Sequence, residues 1–312
     1  MQFFRKAALA PILFFAFCMS LIFTLPANGA EQARGVSVDN WPGMSLLNGG
    51  KGYVSTPTGQ LHYRDIGPRD FKVPIVLLHQ SPMSMIQYAA VQNALADMGV
   101  RAIAIDTPGY GLSDLPFDQP TIKDYGDNIP YVLDKLGIEK IVVAGHHTGA
   151  EIAISFSANH SNRVEGVILH GTALMTDEES QAYLNMDRRP RTPLPDGSHL
   201  SRGFRMGSKP PSQGMLDART WGVLTSYMQG PDQGHYAAYH YDALPDLKAI
   251  KAPGLLLTDL GDAIHEMDLR AAKVRPDFQY KVFSEGGSTV EFMMQPERWA
   301  EIAAEFIASL QK

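Results

Sequence analysis

Short aliphatic runs, each followed by a stretch of helical periodicity, are what most restricts the folds open to this chain. Ile75 to His79, Ala102 to Ile105, Lys140 to Ala144, Val164 to Leu169 and Gly254 to Thr258 lack strand-type polar alternation, the pattern of strands buried on both faces. Helical stretches separate them: Met85 to Met98 closed by Gly99, Ile122 to Leu136 closed by Gly137, and Ala150 to Asn159. Parallel strands joined through helices need right-handed crossovers that cover both sheet faces. The prediction is therefore an α/β fold with a mostly parallel sheet of about eight strands flanked by helices. Tyr53 to Ser55 and Leu61 to Asp65, around Pro57-Thr58-Gly59, read as an opening hairpin. A helix near Met267 to Val274, the strand Gln279 to Phe283 and an amphipathic helix from Pro296 to Leu310 close the chain.

The alternation breaks once. Residues 172–246 are rich in Pro, Gly, Arg, Met and Tyr with no clear strand, which predicts a cap inserted between a first core part, 51–171, and a second, 247–312. Residues 31–50 read as a leader onto the fold. In residues 1–30, Arg5 and Lys6 precede an apolar stretch from Ala7 to Leu25 and then Pro26-Ala27-Asn28-Gly29-Ala30, the pattern of a secretory signal peptide. The expectation is an exported protein, periplasmic or secreted, with no stable membrane anchoring once the signal is cleaved; the competing reading is a retained anchor. The one cysteine, Cys18, lies in that segment, so the mature chain would hold no disulfide and no thiol nucleophile.

With 45% hydrophobic residues, 312 residues suffice for a sizeable core. A formal net charge of -6 without long runs of either sign argues against nucleic acid as a partner. The expected partner is a small-molecule substrate or ligand, and no organic cofactor is implied.

In a parallel sheet the residues just after the strands converge on one edge, where ligands bind. Those positions are His79-Gln80-Ser81-Pro82, Asp106 to Ser113, Gly145-His146-His147-Thr148-Gly149, His170, Asp259 to Asp262, and Ser284 to Thr289. Together they resemble the α/β-hydrolase superfamily, especially its capped branch of haloalkane dehalogenases, epoxide hydrolases and small esterases, over roughly residues 51 to 312. By that resemblance His79-Gln80-Ser81-Pro82 corresponds to the oxyanion-hole motif, with Gln80 in place of a glycine, and Asp106 to Ser113 to a structural turn. Gly145 to Gly149 falls on the nucleophile elbow, Asp262 on the acid position, and Gln295-Pro296-Glu297 on the motif that follows the family's histidine.

Two of the three triad positions also depart from the pattern. His147 stands where the nucleophile is expected, and the late histidine falls on Ser288 or Thr289, neither a base at neutral pH. A serine-hydrolase mechanism therefore does not transfer. An imidazole reaches about 2 to 3 Å further than a serine hydroxyl. The expectation is a compressed dyad in which Asp262 orients His147, His147 acts as general base, and the amides of Ser81 and Thr148 form the oxyanion hole. An ester, a lactone or an activated C–C bond is the expected substrate type.

Further pocket candidates are His79, Gln80, His170, His265, Ser288 and Thr289, with His235 and His240 from the cap. The main alternative is a catalytically silent member that binds a small ligand or partner through the same pocket. His79, His147, His170 and His265 with Asp259 and Asp262 would suit zinc, but the helical spacings of metal-binding histidines are missing, so no metal is expected.

Overall fold

The computed structural model describes residues 47–116, 118–186, 194–198, 220–221, 224–225, 232–286 and 291–311. Eight strands form one sheet: β1 (Lys51–Thr56), β2 (Gly59–Ile66), β3 (Ile75–Leu78), β4 (Ala102–Ile105), β5 (Ile141–His146), β6 (Val164–His170), β7 (Gly254–Asp259) and β8 (Gln279–Ser284). Their order across the sheet is β1-β2-β4-β3-β5-β6-β7-β8. The β1–β2 and β2–β4 pairs are antiparallel, and every later pair is parallel.

Alternate strand residues point to opposite faces, and each face carries its own core. Val76, Leu78, Ile103, Val143 and Leu169 pack on one side. The helices there are α2 (Ile122–Asp127), α3 (Ile129–Lys135) and α4 (Thr148–Asn159). Ile75, Leu77, Ala104, Val142 and Ile168 pack on the other. They meet α1 (Ala89–Asp97) and the closing helix α9 (Pro296–Ser309), whose Trp299 is fully buried. Burying both faces explains why the central strands carry no polar alternation.

The helix predicted over Ile122 to Leu136 is two helices meeting at Asn128. Pro130 has no N–H to donate and clashes with the preceding turn, so it starts a helix instead of continuing one. The stretch read from Met85 opens as a 3₁₀ turn, Met85–Tyr88, before α1.

The segment expected as a cap is described in part. It contains α5 (Asp177–Asn185) and α6 (Gln233–Tyr239), while α7 (Ala243–Ala249) straddles its expected end at residue 246 and puts Leu247 in the core. The helix α8 (His265–Val274) lies between β7 and β8. Residues 1–46, the expected signal and most of the leader, lie outside the described residues, as do Ser288 and Thr289. Among the described residues no helix is long and apolar enough to cross a membrane.

Candidate active site

Strand β5 turns directly into α4, and His147 is the hinge. Its φ of 48° and ψ of -116° make it the only non-glycine with positive φ among the described residues. Such a conformation costs a β-carbon-bearing residue about 1 to 3 kcal/mol and persists only where surroundings enforce it. The enforcement is local: His147 N donates to His170 O at 3.1 Å, and its carbonyl accepts from Ala150 N and Glu151 N. A β-carbon at Gly149 would overlap the Leu78 carbonyl, so only glycine lets α4 pack this close to β3.

The turn aims the imidazole at the end of β7. His147 Nε2 lies 2.7 Å from Asp262 Oδ2, while Ile264 N donates to Oδ1 at 3.2 Å. The carboxylate side chain is 1% exposed and the ring 20%, so the carboxylate is shielded and the imidazole is reachable. Burial pushes the Asp262 carboxyl up, but the bond and charge of His147, the Ile264 amide and His170 outweigh it and hold it below its ordinary value. A carboxylate accepting from Nε2–H fixes the tautomer and leaves a lone pair on Nδ1. Nδ1 has no hydrogen-bond partner among the described residues.

Gly171, just after β6, makes room for the ring. A β-carbon there would overlap Cδ2 of His147, and φ is +67°. Sequence reasoning missed this residue, since the requirement arises only once the larger side chain at position 147 is placed.

The loop expected to carry the oxyanion hole is built from β3 outward. His79 is buried: Nδ1 donates to Gln80 O at 2.9 Å and Nε2 accepts from Thr107 N at 3.0 Å. Burial first, against Asp106 and the Gln80 carbonyl, lowers its pKa and keeps the ring neutral. Gln80 N donates to Gln87 Oε1 at 2.9 Å, and Gln87 Nε2 faces His146 Nδ1 at 3.3 Å. Gln87, another residue missed from sequence, thus ties the loop to the elbow and occupies the Gln80 amide. The amides of Ser81 and Thr148 have no acceptor among the described residues. Thr148 also opens α4, where the first N–H groups lack intrahelical partners.

Over residues 73–216 the chain matches the model of the alpha/beta hydrolase fold family. It is 27% identical over 215 residues to the AB hydrolase superfamily protein YisY of Bacillus subtilis, covering 62% of this chain and 76% of that one. The chain has the α/β-hydrolase fold.

Other proteins it resembles are hydrolases by name. Epoxide hydrolase B of Mycobacterium tuberculosis is 37% identical over 112 residues, 35% of this chain and 32% of that protein. The bifunctional esterase/perhydrolase DCH of Acinetobacter calcoaceticus is 32% identical over 113 residues, 36% of this chain and 40% of that one. Those two alignments span less than half of the relatives' lengths. A thermophilic esterase from Thermogutta terrifontis superposes with a TM-score of 0.66 at 22% identity, covering 84% of this chain and 99% of that one, a likeness of fold.

Within this fold, several predicted pocket residues serve the frame instead. His170 is fully buried, accepting from Trp299 Nε1 at 3.2 Å on Nδ1 and facing Asp259 Oδ2 at 3.1 Å through Nε2. Its nitrogens are both spent inside the protein, as are those of His79, which corrects the expectation that either lines the pocket. His265 Nδ1 bonds Thr258 Oγ1 at 2.8 Å. His235 Nδ1 lies 2.6 Å from Asp232 Oδ2, and its ring stacks on Tyr239. His240 is exposed and bonds the carbonyl of Tyr236 in its own helix. Gln80 is buried with Oε1 unpartnered.

His146, His147 and Asp262 place ligand-type atoms within 4.8 Å of one another. The two imidazoles, however, stack with centroids 4.3 Å apart and 17° between planes. A zinc ion sits in the plane of each ligating ring at about 2.0 to 2.1 Å, and nearly parallel stacked rings do not share such a point. Burial, then the neighbouring His147 and His170, holds His146 well below its ordinary pKa, so it is a neutral platform under the His147 ring.

Proposed function

We propose that this protein is a hydrolase-like enzyme acting on a small organic substrate, an ester, a lactone or an activated C–C bond, through a His147–Asp262 general-base dyad. The observation that carries the reading is the 2.7 Å bond between Nε2 and a shielded carboxylate, on a ring held in a strained turn at the head of α4.

In this mechanism Asp262 stays ionised and accepts from Nε2–H. Nδ1 takes a proton from a water molecule, whose oxygen attacks the carbonyl carbon. The oxyanion forms against the Ser81 and Thr148 amides, each such donor being worth about 2.7 to 4 kcal/mol. The bond to the leaving group then breaks, and the imidazolium returns its proton to the departing alkoxide or carbanion. A positioned base contributes about 10² to 10⁴-fold. Without a covalent intermediate, slow turnover or an intrinsically labile substrate follows. The basic and then apolar N-terminal residues support export as the setting for this activity.

The test is turnover of a panel of aryl esters, lactones and β-diketones by the wild type and by His147→Ala. Saturable turnover that collapses in the variant supports the dyad. Turnover unchanged in His147→Ala sinks it, and tight binding without turnover by the wild type points to the silent binding member.

A further inference from the structure

Behind the dyad lies a second carboxylate that the mechanism above does not use. Asp268, in the first turn of α8, is 1% exposed. One of its oxygens accepts the backbone N–H of Thr172, and the other accepts from Thr258 Oγ1 at 2.6 Å. Thr258 spends its only proton on Asp268, so its oxygen accepts from His265 Nδ1 at 2.8 Å. Thr172 follows Gly171, whose N donates to Leu257 O at 3.1 Å and whose α-carbon faces the His147 ring. The wall on which the ring rests is thus pinned to β7 by Gly171 and to α8 by Asp268.

We infer that Asp268 is a positioning residue for His147, holding the Gly171–Thr172 wall against the imidazole and placing a second negative charge behind the His147–Asp262 pair. The inference rests on the dyad proposed above. It matters because two carboxylates, rather than one, stabilise the imidazolium as it forms, and the second of them is switchable.

The charged and titratable groups facing Asp268 are His147 from the elbow, Asp262 from the loop after β7, Tyr280 from β8, and His265 on its own helix, through Thr258. Burial raises the Asp268 carboxyl to about 7, against the bonds from Thr258 and Thr172 and the attraction of His147, with the charge of Asp262 adding to the rise. Near neutral pH the residue therefore passes between a charged state that supports imidazolium and a neutral state that retains only the hydrogen bonds.

The experiment is an NMR titration of the His147 ring in the full chain, wild type against Asp268→Asn, which keeps an acceptor for Thr172 and removes the charge. His147→Gln assigns the signal. The midpoint for His147 is expected to fall by ~0.5 to 1 pH unit in Asp268→Asn, as loss of a nearby opposite charge requires. Reciprocally, the Asp268 carboxyl carbon is expected to titrate at higher pH in His147→Gln than in the wild type, because coupling between two sites is mutual. An unmoved midpoint in either comparison overturns the inference, and the second comparison decides alone if Asp268→Asn does not fold. Neither readout needs a substrate, so failure of the proposed hydrolysis is seen separately, as absent turnover with the couplings intact.

Discussion

Nε2 of His147 and Oδ2 of Asp262 meet at 2.7 Å across a sequence separation of 115 residues. The pair has the arrangement of a base and its orienting acid without an intervening third residue, because the imidazole itself supplies the reach. Asp262→Asn is expected to leave the fold intact and to lower turnover by roughly 10² to 10⁴, since an amide does not fix the ring tautomer or balance an imidazolium. The sign of the stability effect follows from the depressed carboxyl: its contribution is present above the unfolded-state value and is lost as pH falls through the folded one. Urea unfolding of the two proteins between pH 2 and 7 should show a steeper acid loss in the wild type.

Gly171→Ala is the sharpest steric test of the site. The added methyl overlaps the His147 ring and sits at φ +67°. A loss of at least about 1 kcal/mol in stability is expected from the backbone strain. Activity is expected to fall further than stability does, because the ring is displaced from Asp262. Thermal unfolding alongside kcat would expose the opposite result, a stable variant with full turnover.

Glu151, one turn into α4, is fully buried with neither carboxyl oxygen partnered. Burial pushes its pKa well above the ordinary value. For an acid raised in the folded state, stability is greatest below the unfolded-state value and declines as pH rises toward the folded one. Glu151→Gln removes that decline, so the variant's stability relative to wild type is expected to grow from pH 4 to pH 8. Denaturant midpoints at those two values check the sign.

Gly234, at the head of α6, seats that helix on the loop that holds Ser81. Its N donates to Tyr110 Oη at 2.8 Å, and the same hydroxyl donates to Asp232 at 2.7 Å. A β-carbon at Gly234 would overlap Ser81 Oγ. Gly234→Ala is expected to push α6 off Ser81 and to reduce kcat with little change in the exposed face of α6. Tyr110→Phe, which only removes the hydroxyl, should cost about 1 to 3 kcal/mol by leaving the Gly234 amide and Asp232 short of a partner. Crystallography of the glycine variant with Ser81 unmoved would contradict this account.

Much of the frame was legible because its signals are local. The central aliphatic runs became β3 to β7, since strands buried on both faces need no polar partner pattern. The turn at Gly145 to Gly149 was readable from its glycines, and Asp262 from its place after β7. The break at Asn128 was missed because helical periodicity runs through Pro130, and only the missing N–H reveals it.

Sequence by itself determined the order of strands and helices, the residue at the tip of the elbow and the lack of a histidine after His265, because each is carried by neighbours in the chain. Tertiary structure alone decided which histidines are free to act. His79, His146, His147 and His170 all gather near the ends of β3, β5 and β6, and their residue types do not distinguish them. What separates them is contact: His79 and His170 spend both nitrogens on the frame, His146 is sealed under a stacked ring, and His147 keeps one nitrogen free with Asp262 on the other. Those partners come from segments far apart in the chain, Gly171, Asp268 and Trp299 among them, and only folding brings them within hydrogen-bond and van der Waals range.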